Sequence, residues 1–241
     1  NDFVFNVSVI EQDFDIKMNG LTVNKDGSMK LQGELNTADA VDVETIQNLI
    51  TAHIDHQSSD KQLDNKKLDN TKLDKKKLKV EWNKELGLKN THRFLINNIQ
   101  RKDTATTLNI LWDGSDIGVN KTGQHSFQVP AIGQFVISSI SAIQGSSQTI
   151  EINFSEPLLQ KQNINGLIQV SSGTVKARID GAKITLYPKQ AISGELEVTV
   201  DASIKNAQGI SLEKASSKTL QYLSQPPGVR FSGQGNILPI S

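Results

Sequence analysis

Apolar and polar residues alternate along this chain in short runs, most clearly over residues 148–201. Ile150, Ile152 and Phe154 alternate with Thr149, Glu151 and Asn153, which is the period of a strand with one buried face. Ser155-Glu156-Pro157 ends the run, because proline removes a ladder donor and fixes φ. Residues 175–179 alternate again up to Asp180-Gly181, and a further run follows over 183–188. Asp-Gly between two such runs predicts a hairpin with a type I′ turn. Leu196, Val198 and Val200 alternate with Glu195, Glu197, Thr199 and Asp201. Extending this reading puts strands at 134–143, 149–155, 164–170, 174–180, 182–187, 195–201 and 217–223. That spacing predicts an immunoglobulin-like sandwich over residues 132–225.

Residues 1–131 read as a first sandwich. Phe3, Phe5, Val7 and Val9 place residues 1–16 in a strand. Asn24-Lys25-Asp26-Gly27-Ser28 is a turn; it has a fragment of a calcium-loop pattern but lacks the spaced third carboxylate and the terminal Glu. Residues 31–35 are strand-like. Val43, Ile46, Leu49 and Ile50 then fall at helical spacing, with Asp42 as cap and Glu44 in the first turn. They predict one short helix near 41–51. Further strands are expected at 80–82, 91–96, 106–112 and 125–130, with Trp82 and Trp112 as core anchors. Ala131-Ile132-Gly133 is the expected joint between the domains.

Residues 60–79 depart from this pattern. Leu63, Leu68, Leu73 and Leu78 recur every five residues, a spacing that gathers on no face of a helix or a flat strand. The stretch is therefore expected to be an inserted, mobile, basic loop or a protruding hairpin with an irregular tip. Pro226-Pro227-Gly228 breaks the chain again, and residues 226–241 read as the start of a following domain or a tail.

Composition narrows function mainly by exclusion. The 241 residues hold 26 Lys plus Arg against 26 Asp plus Glu, a balance that argues against a nucleic-acid or membrane surface. Aromatics make up 5%, too few to suggest stacking platforms for bases or sugars. Without cysteine there is no disulfide, thiolate metal site or cysteine nucleophile. No apolar run is long enough to span a bilayer as a helix. With neither initiator Met nor signal peptide, the chain is expected to be a piece of a longer, processed protein.

The candidate chemistry reads as structural. Glu11, Asp13 and Asp15 recur at period two, as on a solvated strand face. His53 and His56 could share a metal, but no further ligand accompanies them. A hydrolytic triad needs Ser, His and Asp to converge, and His53, His56, His92 and His125 come with no nucleophile motif. No residue is read as catalytic, cofactor-binding or metal-ligating, no cofactor is expected, and the chain is not read as an enzyme.

Several segments, taken in order, resemble one family. They are Glu34-Leu35-Asn36-Thr37-Ala38-Asp39, Leu111-Trp112-Asp113-Gly114 with Ile117-Gly118-Val119, and Val129-Pro130-Ala131-Ile132-Gly133. They continue with Phe154-Ser155-Glu156-Pro157-Leu158, Ile204-Lys205-Asn206-Ala207-Gln208-Gly209 and the run from Pro227 to Pro239. Together they resemble the N-terminal region of bacterial alpha-2-macroglobulin-like proteins, over nearly the whole chain apart from the lysine–leucine repeat. The second domain alone also resembles general bacterial Ig-like modules.

The resemblance implies an all-β chain of two tandem Ig-like, macroglobulin-type sandwiches, with one short helix in the first. It implies an exported envelope lipoprotein of the periplasm or cell surface, whose full length traps proteases when a bait segment is cut. The partners it implies are further macroglobulin domains of the same chain and, for the full length, target proteases. It implies neither nucleic-acid binding nor membrane insertion by this stretch. The family's Cys-x-Glu-Gln thioester has no counterpart here: Glu11-Gln12 follows Ile10, and no functional residue of the family maps onto this chain. The expected role is therefore scaffold; the alternative is a cell-surface adhesion or glycan-binding Ig-like module.

Overall fold

The structure, a computed structural model, describes residues 11–55, 75–84, 87–144 and 147–222. Over those residues the chain is nearly all β. Its first half holds β1 (Phe14–Val23), β2 (Met29–Val41), β3 (Ile50–Asp55), β4 (Lys75–Leu78), β5 (Glu81–Trp82), β6 (Lys89–Ile99), β7 (Thr106–Asp113) and β8 (Thr122–Val129). One helix, α1 (Val43–Ile46), joins β2 to β3. The second half holds β9 (Ile137–Ile143), β10 (Thr149–Phe154), β11 (Ile168–Val170), β12 (Val175–Asp180), β13 (Lys183–Pro188), β14 (Gly194–Val200) and β15 (Ser216–Tyr222). All pairings are antiparallel.

These strands make two sandwiches. In the first, sheet β1-β2-β6-β5 faces sheet β4-β3-β7-β8. Leu31, Leu35, Phe94, Ile96, Ile50, Ile54, Leu108 and Ile110 fill the space between them. In the second, β12-β13-β10-β9 faces β11-β14-β15, around Ile150, Ile152, Phe154, Ile184, Leu186, Leu196 and Val198. The two clusters are separate. Each draws on alternate residues of its strands, as a pleated backbone requires. This is the all-β, tandem Ig-like sandwich architecture that the alternation predicts; among the described residues the first domain holds the short helix α1 and one 3-10 turn at Ser115–Ile117.

Several local expectations need correction. Of the strand expected over 1–16, residues 1–10 lie outside the described residues; its last residues, from Phe14, open β1, which runs on to Val23. The helix closes after one turn. Asp42 caps it by accepting from the Glu44 N–H at 2.9 Å, but Ile50 already begins β3. Its apolar spacing belongs to two elements and only mimics a longer helix. β11 is confined to Ile168–Val170 because a turn at Gly166 (φ +79), closed by Leu167 N–H on the Ile164 carbonyl, occupies the residues before it.

In the β12–β13 hairpin Asp180 pairs with Lys183, so Gly181 and Ala182 are the central residues. Only Gly181 has positive φ, which is the II′ pattern and not I′. Residues 60–74 lie outside the described residues. Residues 75–78, however, form an edge strand on β3, and Leu78 packs against the first core; a strand places every second residue inward whatever the wider repeat.

Trp82 and Trp112 sit at core margins and are only half-buried. The Trp82 indole N–H donates to the Gln47 carbonyl, and its ring lies 5.4 Å from that of Phe94. Trp112 covers Gly123, where a Cβ would stand 2.6 Å from the indole. The turn aspartates are tuned locally. Hydrogen bonds from Ser28 hold the Asp26 carboxyl below its ordinary value, and Ser115 and Ser203 do the same for Asp113 and Asp201. The stabilisation these bonds give is present at neutral pH and is lost as pH falls through the lowered values.

Candidate functional site at the domain junction

The junction begins with a defect in β6. Leu31 pairs with Ile96 but Met29 with Ile99, so Asn97 and Asn98 stand together opposite Lys30. Asn98 has φ +54, a conformation asparagine tolerates better than most residues. Such a bulge bends its strand, and the chain leaves β6 towards the second domain with Arg101 in the connection to β7.

Arg101 meets backbone turned to receive it. Ala131, Ile132, Gly133 and Gln134 form a type II turn, closed by Gln134 N–H on the Ala131 carbonyl at 3.1 Å with Gly133 at φ +78. The guanidinium donates to the carbonyls of Pro130 (3.2 Å), Ala131, Gln134 (3.3 Å) and, across the boundary, Ser155 (2.8 Å). Its side chain is 7% exposed. Burial pulls its pKa down and the Glu156 carboxylate pushes it back up; an arginine stays charged through either change.

Two sequence motifs of the second domain complete the joint. Glu156 Oε1 lies 3.7 Å from the guanidinium and the Glu156 side chain is 15% exposed. Its other oxygen accepts from Asn206 Nδ2 at 2.6 Å. Asn206 is fully buried, and its Oδ1 accepts from the N–H groups of Gln208 and Ile210. The Ala207 N–H bonds the Pro157 carbonyl at 2.8 Å. Ser155 donates to the Gln134 carbonyl at 2.7 Å and accepts from the Val136 N–H at 2.9 Å. A continuous polar path therefore runs from Arg101 in the first domain through Glu156 to Asn206 in the second.

A second contact lies beside it. Met18 pairs with Gly33 but Leu21 with Leu31, so Asn19 and Gly20 both face Gln32 in a bulge of β1. This bulge touches β9 of the second domain. Gly20 has φ +87, and a Cβ there would stand 2.5 Å from the Ser139 Cβ. Asn153 is buried at the same boundary and donates to Ser139 Oγ at 3.0 Å. A cleft of about 370 Å³ flanks the contact, with Lys25 and Lys30 in its lining from one domain and Glu151, Asp180 and Lys183 from the other. Lys183 and Glu151 pair within it at 2.8 Å.

The residues weighed from sequence are scattered elsewhere. Asp13 is exposed and pairs with Lys121 at 3.0 Å, and that hydrogen bond, with one from the Phe14 N–H, holds its carboxyl below the ordinary range. Glu11 and Asp15 are exposed. His53 lies 3.5 Å from Asp55 on the outer face of its sheet; His56 lies outside the described residues. His92 is buried against the Lys89 carbonyl, and His125 stands edge-on to Phe127. Among the described residues no three His, Asp or Glu side chains gather as metal ligands would. No protein-family model matches the chain, and no curated protein matches it.

Proposed function

We propose that this chain is a structural scaffold segment of a bacterial alpha-2-macroglobulin-like envelope protein, in which it holds two successive sandwich domains in a fixed relative orientation. The observation that carries the reading is the buried Arg101 cluster, in which one side chain donates across the boundary to the Ser155 carbonyl and to three carbonyls of the linking segment 130–134. Such a cluster restrains rotation between domains; an ordinary flexible linker would leave those carbonyls to water. Three segments that carry the family resemblance, at 129–133, 154–158 and 204–209, meet at this joint. The direction of the chain also suits a serial array. Val200, which pairs with Ser216, leads to the joint through Asp201 and Ile204, whereas Tyr222 pairs with Gly194 at the opposite end of the domain.

The proposed partners are neighbouring macroglobulin domains of the same protein, with proteases as targets of the whole, in the periplasm or at the cell surface. A scaffold piece has no trigger of its own. The isolated chain is expected neither to inhibit a protease nor to hydrolyse substrate, and to bind no glycan on an array. Stoichiometric protease inhibition by this chain alone would refute the scaffold reading. Specific, saturable glycan binding would replace it with an adhesion module.

A further inference from the structure

Asparagine followed by glycine is a chemically weak point, because no side chain shields the glycine nitrogen from the asparagine carboxamide carbon. The chain has two such pairs, Asn19-Gly20 and Asn165-Gly166, and their flanks nearly match: Met18 and Leu21 around the first, Ile164 and Leu167 around the second. What separates them is the fold. Asn19 is exposed, but Gly20 is buried in the β1 bulge. Ladder pairs at Met18 and Leu21 hold it on either side, and an ideal Cβ there would stand 2.5 Å from the Ser139 Cβ. The Gly20 nitrogen cannot turn towards its neighbour without parting β1 from β9.

Asn165 and Gly166 are both exposed, in the turn before β11. The Asn165 N–H donates to Asn163 Oδ1 at 3.0 Å, and the Leu167 N–H closes the turn on the Ile164 carbonyl at 3.1 Å. Among the described residues nothing accepts from the Gly166 N–H and nothing holds the Asn165 carboxamide. Nothing lies within 4 Å of an ideal Cβ on Gly166. The Asp-Gly pairs at Asp26, Asp113 and Asp180 compete poorly, since an ionised carboxylate is a weak electrophile at neutral pH. The N–H groups of Gly27 and Gly114 are also occupied, by the Asn24 and Lys121 carbonyls.

We propose that Asn165 is a site of spontaneous modification, at which water converts the folded chain to isoaspartate while Asn19 is protected by the domain contact. The Gly166 nitrogen gives its proton to hydroxide and attacks Asn165 Cγ. The new N–Cγ bond forms, the Cγ–Nδ2 bond breaks, and the amide nitrogen leaves as ammonia. Water then opens the cyclic imide. Attack at the main-chain carbonyl gives isoaspartate, and attack at Cγ gives aspartate; nothing is oxidised or reduced. Isoaspartate lengthens the main chain by a methylene inside the closed turn. β11 hangs on that turn through the Leu167 carbonyl, which accepts from the Asp201 N–H at 2.8 Å, so β11 loosens first.

The test is to age the whole chain at mildly alkaline pH and follow each site by peptide mass spectrometry, with isoaspartate separated from aspartate. Asn165 should convert faster than Asn19 by about tenfold or more, the factor that about one hydrogen bond's worth of barrier makes. In urea the two rates should come together, because the flanks are alike. Asn165→Gln, checked for folding by circular dichroism, should abolish the fast conversion, and ageing should speed hydrogen exchange at Ile168–Val170. Equal rates in the folded chain would overturn the proposal, as would an Asn165 no faster than Asn163, which precedes isoleucine. A difference that persists unchanged in urea would show that sequence and not fold sets it. Unchanged protection of Ile168–Val170 in the converted chain would refute the loosening of β11.

Discussion

Replacing Arg101 with alanine is expected to loosen the two domains and to destabilise the joint by about 3–5 kcal/mol, the range for removing one partner of a buried charge cluster. The change strips donors from the carbonyls of Pro130, Ala131, Gln134 and Ser155 and leaves Glu156 with its charge only partly compensated by Asn206. Each buried carbonyl that water cannot reach adds about 1–3 kcal/mol of desolvation penalty; those that water reaches account for the total staying below their sum. Arg101→Lys should recover only part of the loss, because a point-like ammonium cannot span acceptors on both domains as the planar fork does. Calorimetry provides the check. The expected outcome is that unfolding separates into two transitions in Arg101→Ala; an unchanged thermogram would show that the cluster couples nothing.

The Gly20 contact is expected to be almost as sensitive. A side chain there meets two penalties of different origin. Positive φ disfavours any L-residue by about 1–2 kcal/mol, and a Cβ 2.5 Å from the Ser139 Cβ forces the domains apart, at about 1–3 kcal/mol for overpacking of this kind. Gly27 separates the two. It has φ +83, but nothing lies within 4 Å of its ideal Cβ. Gly27→Ala should therefore show the backbone penalty alone, and Gly20→Ala more than that. Urea denaturation of the pair measures the difference. Equal losses at the two positions would mean that β1 and β9 do not touch as described.

The second sandwich was legible almost strand by strand, because its core positions alternate strictly and its turns carry glycine. The departures were local. The hairpin moved by one residue because Gly181 can serve as the first central position as readily as the second. The helix shortened because helical spacing in Val43 and Ile46 ran by chance into the inward positions of β3. β4 was hidden because a five-residue leucine repeat masks the period of two in Leu78 and its neighbours.

The joint itself was only half visible. Ala131-Ile132-Gly133 was expected as the joint, but not the type II turn it forms. Arg101 was missed altogether. In the sequence it stands in Gln100-Arg101-Lys102-Asp103, which reads as a solvated loop, and no periodicity marks a charge that is buried by a distant segment. Glu156 was seen as part of a strand end, and Asn206 only as part of a segment that carries the resemblance. Their pairing is a tertiary fact, created when Leu158 and Asn206 bridge.

Fixed orientation of the two sandwiches is the central claim, and a distance measured across the joint tests it most directly. The chain has no cysteine, so Asp116→Cys and Lys189→Cys, both at exposed positions at the outer ends of the two domains, can be spin-labelled together without background. Double electron–electron resonance should give one narrow distance distribution in the otherwise unchanged chain and a broad one once Arg101→Ala is added. A broad distribution with Arg101 in place would contradict a rigid joint and, with it, the scaffold role built on that joint.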